Sequence, residues 1–149
     1  MGDKRQITAV FGASVSGEFL PPQLIYTGKT PACHPNGVTF PADWHITHTE
    51  NHEANESTMK DYITKVIVPY IEKIRSQLPQ RHVTSPQPAF VIFDIFKGQM
   101  CQSTIDLLMD NNIHFVHVPP NCTNRLQPLD ISVNEPCKDF IRNKFIEWY

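Results

Sequence analysis

The chain has 149 residues, 40% of them hydrophobic, and a formal net charge of -2 at pH 7. That length is enough to bury a core without staples, and the charge is wrong for a strongly basic, self-sufficient nucleic-acid module. Cys33, Cys101, Cys122 and Cys137 are widely spaced with no C-x-x-C pair, which argues against a dense disulfide framework and for reduced thiols in an intracellular protein. No apolar run reaches the roughly 20 residues of a membrane helix, so the expectation is a soluble protein, with 1–149 forming one domain or most of one.

In chain order, 5–13 and 17–26 are β-prone and Ser16-Gly17 between them supplies a turn, which predicts an antiparallel hairpin. Pro21 and Pro22 predict an edge position or a bulge in its second strand. Residues 28–49 carry Pro31, Pro35, Gly37 and Pro41, an irregular insertion that ends in an alternating strand, Trp44 to Thr49. From Asn55, a candidate N-cap, the spacing of Met59, Tyr62, Ile63, Val66, Ile67, Tyr70, Ile71 and Ile74 predicts a helix. Pro69 falls inside it and predicts a kink.

A polar connection from Gln77 to Pro88 leads into the apolar run Ala89-Phe90-Val91-Ile92-Phe93-Asp94, read as a buried strand. A helix over roughly 99–111, a short strand from Ile113 to Val118, a proline- and asparagine-rich loop and a last helix from about Asp130 to Trp148 complete the order, with Pro136 marking a kink or a late start. Strands and helices in this succession predict an α/β domain, a mixed sheet flanked by helices.

Two carboxylates stand out. Asp94 closes the apolar run, where burial would be costly without a partner, and a cation is a common one. Asp130 follows 36 positions later in Val118-Pro119-Pro120-Asn121-Cys122-Thr123-Asn124-Arg125-Leu126-Gln127-Pro128-Leu129-Asp130. The stretches FDIFKGQ at 93–99 and VPPNCTNRLQPLDISVN at 118–134 resemble the second and third acidic motifs of pogo-, Tigger- and jerky-type DDE transposases. The segments 4–30 and 51–59 resemble the matching upstream parts, so the likeness covers nearly the whole chain; Glu53 departs from it, standing where such sequences commonly have an aromatic residue.

The resemblance implies an RNase H-like fold and metal-dependent phosphodiester hydrolysis and strand transfer on DNA, in the nucleus. In such chemistry two divalent cations about 4 Å apart activate a water or 3′-hydroxyl and stabilise the leaving oxygen. Magnesium or manganese is the implied cofactor, with Asp94 and Asp130 as its hard-oxygen ligands. Lys97, Arg125, Lys138 and Arg142, with Lys144, become candidates for the DNA backbone, against the plainer reading of a solvated charged face. The family's first catalytic aspartate lies on a strand before this hairpin, so the resemblance also implies a missing first strand and an incomplete catalyst. Asp3 aligns after that position and is a poor replacement.

Blander readings stand beside these: Asp94 as a cap of a nearby helix or turn, Asp130 as N-cap of the last helix, and Phe140, Ile141, Phe145 and Ile146 as core. The main alternative is a domesticated or decayed transposase-derived module that binds DNA or a partner without catalysis. A third is an unrelated α/β metal enzyme in which Cys33, His34, His45, His48 and His52 contribute to a zinc site. His45 and His48 would point to opposite faces of a strand, so they share a metal only if the chain turns there.

Overall fold

A computed structural model of the chain describes residues 6–79, 86–94, 101–118 and 133–148. Its elements follow the predicted order and the α/β class holds. β1 (Ile7–Ala13) and β2 (Phe19–Thr27) form the antiparallel hairpin. The turn closes as Gly17 N–H donates to the Ser14 carbonyl at 3.0 Å and Ser14 N–H to that of Glu18 at 2.8 Å. Gly17 adopts φ 88° there, a region in which a Cβ is penalised.

Pro21 and Pro22 sit in a bulge. Between the pairs Val10↔Gln23 and Gly12↔Leu20, β2 contains one residue more than β1. The alternative of an edge strand fails, because β3 (His45–Thr49) pairs in parallel with β2 on its other side. That pairing covers Gln23–Thr27 alone, so the prolines, which have no N–H to donate, lie just outside the stretch that β3 engages.

The helix predicted from Asn55 starts as α1 (Glu56–Tyr62). Asn55 Oδ1 accepts from the Thr58 N–H at 3.0 Å, and Thr58 Oγ1 accepts from the Asn55 N–H at 2.9 Å, a reciprocal capping box. Pro69 is accommodated by more than a kink. Residues Ile63–Ile67 widen into a π turn, the Val68 N–H reaches back to the Ile63 carbonyl, and α2 (Val68–Gln77) starts afresh with Pro69 in its first turn. There a proline has no intrahelical amide to lose. The last helix repeats the device: Val133 and Asn134 are π-helical, and Pro136 is the second residue of the α segment labelled here α4 after α3 (Gln102–Asp110). Its α part runs Glu135–Trp148; the predicted beginning at Asp130 lies outside the described residues.

The apolar stripe is buried through Met59, Tyr62, Ile63, Val66 and Ile67, whereas Tyr70, Ile71 and Ile74 are half-buried. At about 1.5–3 kcal/mol for each fully buried large apolar side chain, the first half of the stripe anchors this helix. β2 packs on the π turn and α1 on α3. β4 (Ala89–Asp94) and β5 (Ile113–Val118) pair as a second sheet, apart from β1-β2-β3. The single sheet expected is therefore divided, because no described strand pairs with an edge of each.

The described residues fall into two compact units, 6–79, 86–90 and 101–114 in one and 91–94, 115–118 and 133–148 in the other. The first has its core in Ile25, the helical stripe, Leu108 and Ile113. In the second, Val118 is buried and the His117 ring lies 5.3 Å from Phe115 and 6.4 Å from Phe93. On α4, Phe140, Ile141 and Ile146 are exposed, not the core residues expected, since no described residue of that unit covers them. No helix among the described residues is long and apolar enough to cross a membrane.

Candidate functional site

Of the residues singled out for metal and DNA, Asp94, Lys138 and Arg142 are described, while Asp3, Lys97, Arg125 and Asp130 lie outside the described residues. Asp94 ends β4, as predicted. The strand is not buried, however: half-buried Ala89, Val91 and Phe93 alternate with exposed Phe90, Ile92 and Asp94. Desolvation therefore does not force a partner on this carboxylate. Among the described residues no hydrogen bond or ion pair reaches it, so it caps none of the described helices. Its exposed oxygens suit a hard divalent cation, which favours carboxylate over nitrogen or sulfur donors.

Lys138 and Arg142 lie four residues apart on α4, a spacing that places them on one face. Arg142 Nη1 is paired with Asp139 Oδ1 at 2.9 Å and Lys144 Nζ with Glu147 Oε2 at 2.6 Å, all well exposed. Such pairs add little to stability, but they offset charge that the sequence counts as free. Lys138 has no such partner among the described residues. None of the described hydrogen bonds or ion pairs joins Asp94 to these cations.

A polar network between α1 and α3 escaped the sequence reading. Glu56 Oε1 accepts from Lys60 Nζ at 2.7 Å and from Ser103 Oγ at 2.6 Å. The Cys101 thiol lies 3.0 Å from Ser103 Oγ and 3.2 Å from Thr104 Oγ1. Hydrogen bonds from Lys60 and then Ser103 hold the Glu56 carboxyl down to about 2, and those of Ser103 and Thr104 lower the Cys101 thiol. The Glu56–Lys60 pair was legible from its helical spacing; Ser103 is brought in by the packing of α1 on α3.

The histidines divide as their strand positions demand. His45, opposite Gln23 in the β2–β3 register, has Nδ1 2.8 Å from Gln23 Nε2 and Nε2 4.0 Å from Asp61 Oδ2 and 3.2 Å from Lys65 Nζ. Burial, then Lys65, lowers its pKa, against an opposing pull from Asp61. His48, opposite Tyr26, turns to the other face, where Nδ1 lies 3.2 Å from His34 Nε2. The insertion does turn, and it brings Cys33, His34 and His48 together, their donor atoms all within 4.8 Å of one another. His45 and His52 are not in that cluster.

A family model described as DDE superfamily endonuclease matches residues 4–149. Two curated relatives are similar to it in sequence: "Pogo transposable element with KRAB domain" of Homo sapiens is 27% identical over 148 residues, and its Mus musculus counterpart 28% identical over 151. Each match covers 98% of this chain but 22% of the relative, so the chain spans about a fifth of the length of the proteins it resembles. No solved structure matches.

Proposed function

The chain belongs to the DDE superfamily endonucleases, and we propose that it is a transposase-derived, RNase H-like domain that binds DNA in the nucleus and holds magnesium or manganese through Asp94 and Asp130. The observation that carries this reading is the exposed Asp94 carboxylate at the end of β4, without a partner among the described residues, in a chain whose family match spans both acidic motifs.

In this reading Asp94 and Asp130 supply the anionic oxygens of the site, and neither forms a covalent intermediate. Bound divalent cations would supply charge neutralisation at the phosphodiester and a more acidic water or 3′-hydroxyl. Lys138 and Arg142, joined by Lys97 and Arg125, neutralise backbone phosphates and position the strand without reading its sequence.

The test is manganese titration by calorimetry on the wild-type chain and on Asp94→Asn, followed by nicking of supercoiled DNA. A loss of on the order of tenfold or more in manganese affinity in Asp94→Asn supports the site, and unchanged affinity sinks it. Metal binding lost in the variant with no nicking by either protein identifies the non-catalytic, transposase-derived DNA-binding module instead.

A further inference from the structure

We propose that Cys33, His34 and His48 form a zinc site that staples the 28–44 insertion to the first sheet, separate from the acidic site. The three residues come from two elements, the 3-10 turn Pro31–Cys33 with its following residue and β3. Their donor atoms, one thiol sulfur and two imidazole nitrogens, are the set that zinc prefers over magnesium. All lie within 4.8 Å of one another, and all three residues are half-buried.

The geometry is close to what a bound ion needs. Zinc–nitrogen bonds of about 2.0–2.1 Å place two tetrahedral nitrogen ligands about 3.3 Å apart. His34 Nε2 and His48 Nδ1 lie 3.2 Å apart. The rings meet edge to face, with centroids at 5.2 Å, and the His34 ring is held from its other neighbour by Tyr26, at 5.5 Å. Cys33 is brought up by a close approach that only glycine permits: a Cβ on Gly28 would lie 2.4 Å from Cys33 Cβ and 2.7 Å from its sulfur. Gly28 is itself tied to β3, its N–H donating to the Thr49 carbonyl at 2.8 Å.

On binding, the Cys33 thiol gives its proton to solvent and its sulfur takes up the cation. The hydrogen bond between His34 and His48 is exchanged for two nitrogen–zinc bonds: the imidazole that donated it shifts its proton, through solvent, to its non-ligating nitrogen, where the other imidazole already carries its own. Water fills the fourth position. The ion closes the loop between the end of β2 and β3, and so contributes to the stability of this unit.

Cobalt is the probe, because it accepts the same ligands and is coloured. The purified, reduced 149-residue chain is titrated with cobalt chloride in parallel with Cys33→Ser, His48→Gln and, as a control outside the cluster, His52→Asn. Expected are one cobalt per chain, tetrahedral visible bands and a sulfur-to-cobalt charge-transfer band, all displaced by zinc. The charge-transfer band should vanish in Cys33→Ser, and affinity should fall by on the order of 100-fold or more in His48→Gln, with His52→Asn unchanged. Far-ultraviolet circular dichroism checks that each variant retains its fold. No stoichiometric binding by the wild-type chain, a spectrum without the sulfur band, or an equal loss in His52→Asn overturns the site.

Discussion

Gln23 and His45 lie side by side in the parallel pairing of β2 and β3, and the buried Gln23 amide donates one hydrogen to His45 Nδ1 at 2.8 Å and the other to the Thr58 carbonyl at 2.9 Å. Nδ1 is therefore an acceptor and the neutral imidazole carries its proton on Nε2, which lies 3.2 Å from Lys65 Nζ and 4.0 Å from Asp61 Oδ2, so the exposed ammonium is a neighbouring charge there and not a donor to the ring. Protonating Nδ1 would set two donors against each other inside the first unit.

A pH dependence follows. Burial, then Lys65, lowers the His45 pKa from its ordinary 6.5 in the folded chain. Below that value the unfolded chain binds more protons than the folded one, so the contribution to stability is complete above pH 6.5 and is lost as the pH falls toward the lowered folded pKa. Urea denaturation at pH 7.5 and at progressively lower pH should record a falling midpoint, and His45→Gln should flatten the part of that slope below about pH 6.5. Equal slopes in the two proteins would contradict the assignment.

Arg75 ties the end of α2 to the entries of two strands. Its Nε donates to the Gln87 carbonyl at 2.8 Å, Nη1 to Asn111 at 3.1 Å and Nη2 to Asn112 at 3.0 Å. The side chain is 11% exposed, and its removal leaves the part-buried Asn111 carbonyl without this donor and the Asn112 carbonyl with the Ala89 N–H alone, at 3.1 Å. Arg75→Met should cost on the order of 3 kcal/mol, read from the denaturation midpoint. Arg75→Lys should recover less than half of that, since an ammonium cannot span three carbonyls in one plane; full recovery by lysine would show that charge alone mattered.

Gly28 and Cys33 should be coupled. Gly28→Ala introduces a Cβ 2.4 Å from that of Cys33 and is expected to cost about 1–3 kcal/mol, as overpacking does. In a Cys33→Gly background the opposing Cβ is gone, and a double-mutant cycle should return a coupling of roughly 1 kcal/mol or more. Additive effects would mean that the glycine serves the backbone and not the approach of Cys33.

Tyr62 carries the reverse expectation. The residue is 3% exposed, its hydroxyl has no hydrogen-bond partner among the described residues, and burial pushes its pKa up to about 12. Tyr62→Phe removes a desolvated hydroxyl and keeps the ring, so stability should stay level or rise by up to about 1 kcal/mol. A loss larger than that, measured by thermal or urea unfolding, would assign the hydroxyl a bond.

By itself the sequence determined the local features of this protein. The hairpin, the N-cap at Asn55, the helical stripe, the strand ending in Asp94 and the opposed faces of His45 and His48 all follow from period, turn chemistry and side-chain donors within a few residues. The acidic motifs were legible in the same way, as strings whose likeness to a family lies in their order along the chain. What only the tertiary structure decided depends on residues far apart in sequence. It placed β3 beside β2, so that the bulged strand is central, left β4 alternating and Asp94 exposed, and folded the insertion so that His34 meets His48. The physical reason is that period and propensity specify which face a side chain takes, whereas the partner on that face is set by which elements pack and in what register.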